Sequence, residues 1–245
     1  MKGQPIMRGG IIAAGAGVRL RQAGWTMPKP LVPVAGVPLI EHVIRNFLAA
    51  GISSLIIIVN EQARECESWL REHFPTLDLE IIVKTTDSSL ESFQEVAGRL
   101  GSGRALISTV DAWCPEEAFM TFVQTARHFP PDATVLAVTP LADDERPLCV
   151  DLDASGRITS LGETSGEFIT AGMYLVPERV RHMSSPPEVK RLRDFLVWLV
   201  KQGEPVYGVT LSAVVDVDRG EDVSLAEMLA HSVGQPQRSH LRGAG

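Results

Sequence analysis

Residues 11–33 read IIAAGAGVRLRQAGWTMPKPLVP, and the order of residue types in this stretch decides what the rest of the chain has to build. The apolar run Ile11-Ile12-Ala13-Ala14 is predicted to be a buried strand that opens directly into Gly15-Ala16-Gly17. With no Cβ at either glycine, backbone N–H groups can approach a phosphate closely and point at it. Arg19, and Lys29 within Pro28-Lys29-Pro30, add fixed cationic donors around the same anion. Two common phosphate loops are excluded. A P-loop needs a Lys followed by Ser or Thr after its second glycine, and neither is present. A dinucleotide fingerprint needs a third small residue, an unbroken helix and a following acid. Here Leu20 holds the third position, Pro28, Pro30 and Pro33 break the helix, and Ala35–Leu39 holds no acid. A Gly-x-Gly alone is an ordinary tight turn; joined to Arg19 and Lys29 it reads as a triphosphate cradle.

The surrounding chain has 245 residues, 44% hydrophobic and 22% charged, which suits one globular α/β domain over residues 1–234. A net charge of -7 argues against nucleic acid as the main partner. It leaves room for a phosphorylated substrate, because a few local cations or a metal ion can reverse the field inside a cleft. Cys66, Cys114 and Cys149 show no metal-ligand spacing and read as reduced thiols. The start, MKGQPIMRGG, lacks the apolar core of a signal peptide, and no run is long enough to span a bilayer. A cytoplasmic protein without a membrane partner is expected.

Strand-like and helix-like segments alternate. Pro38 opens a helix with Leu39, Ile40, Val43, Ile44, Phe47 and Leu48 at helical spacing and Gly51 at its end. Leu55–Val59, Leu79–Val83, Ala105–Val110 and Thr134–Val138 read as buried strands. Helices are expected at Ala63–Phe74, from Ser88 or Ser89 to Leu100, and at Pro115–His128. The rhythm predicts a mostly parallel sheet with helices on both faces. From residue 139 onward, short strands at Cys149–Leu152, Arg157–Leu161 and Thr170–Val176 suggest a small antiparallel insertion covering one side of the sheet. A helix at Val189–Lys201, a last strand near Pro205–Thr210 and Val214–Val217, and a helix at Arg219–Ala230 follow. The tail, 235–245, is expected to be disordered.

Carboxylates stand at strand ends, where open parallel sheets bind ligands. Asp111 follows Leu106–Val110, and its side chain would serve either as a hard-cation ligand or as a turn cap. In Val215-Asp216-Val217-Asp218 the two acids share a strand face and repel unless a cation screens them. Asp218 also reads as the cap of the helix after it.

Several motifs occur in one order. They are the glycine loop with Arg19, Met27-Pro28-Lys29-Pro30-Leu31, Gly36-Val37-Pro38-Leu39-Ile40, Asp111, Ala171-Gly172-Met173-Tyr174 and the Asp216–Glu227 segment, DVDRGEDVSLAE. Over roughly residues 8–230 the chain resembles the sugar-phosphate nucleotidyltransferase family, which has a GT-A-like, Rossmann-like α/β fold. The resemblance implies transfer of a nucleoside monophosphate from an NTP to a phosphorylated small-molecule acceptor; CTP or UTP is the expected NTP, but the base is not inherited from the resemblance. Pyrophosphate is released. It implies that Ala13, Ala14, Gly15, Ala16 and Gly17 hold the nucleotide, that Arg19 and Lys29 are the catalytic contacts to the triphosphate, and that Asp111 with Asp216 or Asp218 binds Mg²⁺. Glu163 and Gly172 fall at acceptor-binding positions.

Two segments depart from the family pattern. A Gly-Thr-Ala that seats the base is replaced by Lys84-Thr85-Thr86-Asp87-Ser88-Ser89, where Ser88 and Ser89 either bind nucleotide or cap the helix. A Glu-Lys-Pro that grips the acceptor is replaced by Glu163-Thr164-Ser165, without lysine, so either another cation, Lys84 or Lys190, does that job or the acceptor is not an ordinary hexose 1-phosphate. The Asp-Val-Asp is similar to that of cytidylyltransferases acting on alcohol phosphates. Two other readings remain: a nucleotide-binding homologue without catalysis, and a GT-A glycosyltransferase, which would need an Asp-x-Asp where the chain has Asp111 alone. A homo-oligomer is left open.

Overall fold

The computed structural model describes residues 8–140, 147–162 and 166–232. Glu163 and the tail 235–245 lie outside the described residues. In chain order, β1 (Gly9–Ala13) and α1 (Val18–Gln22) precede a small hairpin of β2 (Pro33–Val34) and β3 (Val37–Pro38). Then come α2 (Leu39–Ala49), β4 (Ser54–Val59), α3 (Arg64–His73), β5 (Asp78–Val83), α4 (Ser89–Ala97) and β6 (Ala105–Thr109). They are followed by β7 (Ala112–Trp113), α5 (Glu116–Ala126), β8 (Thr134–Thr139), β9 (Cys149–Leu152), β10 (Ile158–Gly162) and β11 (Phe168–Val176). The chain continues with α6 (Glu178–Arg181), α7 (Leu192–Lys201), β12 (Val206–Thr210), β13 (Val215–Asp216) and α8 (Gly220–Ser232).

Nine of these strands form one sheet. Across its width the order is β12-β8-β11-β6-β1-β4-β5, and the β9–β10 hairpin joins at the start of β11. The β6, β1, β4 and β5 strands run parallel, as do β8 and β12. Only β11 opposes its two long neighbours, β6 and β8. The mostly parallel sheet with helices on both faces is thus the predicted one, and the small antiparallel piece is the β9–β10 hairpin, but Thr170–Val176, expected to belong to it, lies in the middle of the sheet. The reason is two-sided burial. Met173 and Leu175 enter one core and Tyr174 and Val176 the other, which requires cover on both faces.

Alternation along β1 shows how the layers form. Ile11 points to the core under α2, α5 and α8, and Ile12 to the core under α4 and α7. Gly9 and Gly10 are where the helices come closest. A Cβ would stand 2.4 Å from the Phe47 ring on α2 at the first, and 2.5 Å from Val96 on α4 at the second. Two further expectations shift in detail. The helix near residue 190 begins at Leu192, and Val215–Asp216 leaves the main sheet to pair with β7.

Arg181 is a buried guanidinium that staples the turn after α4. It donates to the carbonyls of Ala97 (2.7 Å), Gly101 (2.7 Å) and Gly103 (2.9 Å). Arg181→Met would leave three acceptors without this donor, and we expect a loss of about 2–4 kcal/mol in chemical denaturation.

His42 on α2 is also buried, with Nε2 donating to the Val34 carbonyl at 3.1 Å and its ring set edge-on to Trp113. Burial holds its pKa below the ordinary 6.5; Arg45 adds to this, while the Val34 bond and Glu41 oppose it. The unfolded chain therefore binds a proton at His42 before the folded chain does. Stability is expected to fall as pH drops below about 6.5. His42→Asn should flatten urea-derived stability between this pH and the carboxylate range.

Among the described residues no helix is long and apolar enough to cross a membrane. The three cysteines are free and buried, and burial pushes the Cys66 and Cys114 thiols up to about 12, which rules them out as nucleophiles at neutral pH.

Candidate active site

The glycine loop runs from the end of β1, where Ala13 and Ala14 are buried, to exposed Gly15 and Ala16. Gly17 turns the chain into α1 with φ 60°, and a Cβ there would lie 2.9 Å from Lys29 Cβ. It is therefore glycine for both conformation and space. A Cβ on Gly15 would meet nothing within 4 Å, so this side of the loop faces open space. A residue that the sequence reading missed fixes the loop. Asn60, buried at the end of β4, donates to the Ala14 carbonyl (3.2 Å) and accepts from the Gln62 N–H (2.9 Å) and the Thr85 hydroxyl (3.2 Å). A polar residue directly after an all-apolar strand was its only signal. A small cavity of about 100 Å³ lies here, lined by Gly15, Ala16, Thr26, Lys29, Asn60 and Gln62 among others.

The two carboxylate segments, far apart in sequence, are brought together by the short β7–β13 ladder. Val215 pairs with Trp113, Asp216 pairs with Ala112, and the Val217 N–H donates to the Asp111 carbonyl at 3.0 Å. One side-chain oxygen from each of Asp111, Asp216 and Asp218 then lies within 4.8 Å of the others. The cations sit among them. Lys29, only 7% exposed, donates from Nζ to Asp111 Oδ2 (2.6 Å) and to Asp218 Oδ1. Arg19 Nη1 reaches Asp218 Oδ2 at 3.1 Å.

These contacts settle the protonation states. Burial alone would discharge Lys29, but Asp111, Asp218 and Asp216 outweigh it and hold the ammonium well above the usual lysine range. Burial would likewise raise Asp111; the Lys29 charge and hydrogen bonds from Lys29 and Thr109 keep it ionised, below the usual carboxylate range.

The capping role expected of Asp218 goes to another acid. Asp222, in the third position of α8, accepts the backbone N–H groups of Asp218 (2.9 Å) and Arg219 (2.6 Å). This is half of a capping box, whose sequence signal is an acid three residues past the cap. It frees the Asp218 carboxylate for the site.

Beside the carboxylates opens a larger cavity of about 230 Å³. Gly172, Tyr174, Thr170 and Thr139 line one part of it and Arg193, from the first turn of α7, another. Gly172 has φ 68°, and a Cβ there would lie 2.5 Å from Thr109 Oγ1. Tyr174, 6% exposed, has no hydrogen-bond partner for its hydroxyl among the described residues, although it borders the cavity. Burial, together with Asp111 and Asp216, raises its pKa. Arg193 brings a cation to this wall that the sequence reading did not single out. Lys84, which it did, is held by Glu91 (2.8 Å) and Glu95 (2.7 Å) on α4. Ser88 caps α4 by accepting the Glu91 N–H (3.1 Å), and Ser89 accepts the Leu192 N–H (3.0 Å). Each hydroxyl keeps its own O–H to donate.

Comparisons with known proteins show the family of the chain and its fold. A 2-aminoethylphosphonate cytidylyltransferase of Lancefieldella rimae is 26% identical over 191 residues, 76% of this chain and 70% of that protein. A mannose-1-phosphate guanyltransferase of Hypocrea jecorina is 33% identical over 86 residues, 35% of this chain; the chain spans only 24% of that relative's length. Among solved structures, the inositol-1-phosphate CTP transferase from T. maritima superposes with a TM-score of 0.78 at 19% identity, covering 93% of this chain and 98% of that one, which establishes the shared fold. The MobA-like NTP transferase domain matches residues 9–176. From β1 through β11, then, the chain belongs to the MobA-like NTP transferase domain family, the kind of nucleotidyltransferase that its motifs resemble.

Proposed function

We propose that this protein transfers a nucleoside monophosphate from an NTP, CTP or UTP, to a phosphate or phosphonate oxygen of a small acceptor and releases pyrophosphate. The observation that carries the reading is the convergence of Lys29, Arg19 and three carboxylates at the mouth of a glycine loop, beside a second cavity. A cytidylyltransferase acting on a phosphonate is a relative aligned over most of both chains, which favours CTP and a compact acceptor.

Asp111, Asp216 and Asp218 form an all-oxygen, anionic donor set suited to a hard divalent cation, and Mg²⁺ is the ion we assign to them. Such an ion, when bound, neutralises charge on the phosphate oxygens. The chain's own groups do the rest. Backbone N–H groups of Ala13–Gly17, with the Ser88 and Ser89 hydroxyls at the start of α4, seat the nucleotide. Lys29 and Arg19 stabilise the charge that builds on the departing pyrophosphate. Arg193 and the Tyr174 hydroxyl take the anionic acceptor, the task for which the sequence offers no lysine after Glu163. An acceptor oxygen already ionised at neutral pH attacks the α-phosphorus as the bond to the pyrophosphate oxygen breaks, so no general base is needed. Catalysis is positioning and electrostatics.

The test is pyrophosphate release by the whole chain with Mg²⁺, each NTP in turn, and 2-aminoethylphosphonate, inositol 1-phosphate and hexose 1-phosphates as acceptors. Turnover with one pair supports the reading. Tight nucleotide binding without turnover by any pair favours a nucleotide-binding homologue without catalysis.

A further inference from the structure

The carboxylates and the two cations are assigned above to different partners, yet two of the three acids, Asp111 and Asp218, are bonded to the cations. Lys29 Nζ lies on Asp111 Oδ2 and Asp218 Oδ1, and Arg19 Nη1 on Asp218 Oδ2. Both oxygens of Asp218 and one of Asp111 thus carry a cationic partner. A metal ion and the Lys29 ammonium cannot take the same oxygen lone pairs at bonding distance.

Lys29 is built to make this exchange. Its backbone is held in a 3-10 turn between Pro28 and Pro30, and its Cβ is packed against Gly17 of the loop, so the base of the side chain cannot retreat. The four-carbon stem beyond is flexible. Phosphates on the loop and the carboxylates therefore lie within reach of one ammonium.

We propose that Lys29 is an exchangeable internal counter-ion: it neutralises Asp111 and Asp218 until a triphosphate on the glycine loop draws it away and opens these oxygens to a divalent cation. The inference rests on the nucleotidyltransferase reading and adds a coupling to it. Metal ion and triphosphate each strengthen the binding of the other, by the same factor, because each favours the state in which Lys29 has left the carboxylates.

The experiment titrates the full chain with Mn²⁺, read by electron paramagnetic resonance, alone and with α,β-methylene CTP or UTP. We expect weak Mn²⁺ binding to the wild type alone, tightened at least tenfold by a nucleotide analogue. Lys29→Met should bind Mn²⁺ alone at least tenfold more tightly than the wild type and lose most of the nucleotide effect. Arg19→Met removes a neighbouring charge but leaves the Lys29 bridge, and should gain less than threefold. If Lys29→Met fails to fold by circular dichroism, Lys29→Gln replaces it in the same titration. An unchanged Mn²⁺ affinity in the Lys29 variant, or a gain no larger than that of Arg19→Met, overturns the exchange. If wild type and variants bind neither Mn²⁺ nor either analogue, and no NTP yields pyrophosphate, the nucleotidyltransferase reading itself fails.

Discussion

Asp111→Asn is expected to lower pyrophosphate release by about a thousand-fold, the upper end for losing one preorganised electrostatic group in a reacting centre. Asparagine keeps the size of the side chain but removes its charge. The acidic set falls from three members to two, and the position facing Lys29 at 2.6 Å loses its anion. The fold should survive, because Lys29 retains Asp218 and the backbone carbonyl of Asp111 still accepts from Trp113 and Val217. A melting experiment beside the pyrophosphate assay separates the two effects. A variant that folds and keeps more than a tenth of the wild-type rate would remove Asp111 from the reacting centre.

Gly172→Ala is expected to damage stability and activity together, through a residue with no reactive group. An alanine at φ 68° adopts a left-handed backbone at a cost of about 1–2 kcal/mol. Its Cβ would also fall 2.5 Å from Thr109 Oγ1 and 2.7 Å from Ala112 Cβ, overpacking that adds about 1–3 kcal/mol. Thr109 is the residue whose hydroxyl donates to Asp111, so its displacement reaches the carboxylate set. Thr109→Ala in the same chain should return part of the lost stability, since one of the two clashes is gone, but not the activity. Denaturation of the two single variants and the double variant forms the cycle that tests this. Purely additive losses would show that the backbone or the Ala112 contact, not the Thr109 hydroxyl, is responsible.

The parts of the fold legible in the sequence are those governed by local pattern. Val59, Val83 and Thr109 end strands within a residue or so of where apolar runs stop, and Leu39–Ala49 is helical where its spacing says so. That Lys29 and Arg19 lie beside the glycine loop was legible because both follow it closely in sequence. What stayed hidden depends on partners distant along the chain. The central place of β11 follows from cover on both faces, which a nine-residue apolar strand does not announce. Arg193 gained meaning only when α7 was docked beside the cavity. Asp218 reads equally as a cap or a ligand until Asp222 is seen to hold the N–H groups.

The two-residue ladder between Ala112–Trp113 and Val215–Asp216 also bears on how the protein comes to exist. Lys29 and Asp218 are 189 positions apart, and the matched family segment ends at Val176, before either of the last two acids. Closing so long a stretch of chain is entropically unfavourable and gains little until both ends are already ordered. During synthesis the strands from β1 to β11 emerge while α7, β12 and α8, which complete the sheet and its cover, are still unmade. The charge constellation cannot close before the stretch that carries Asp216 and Asp218 has been made and docked.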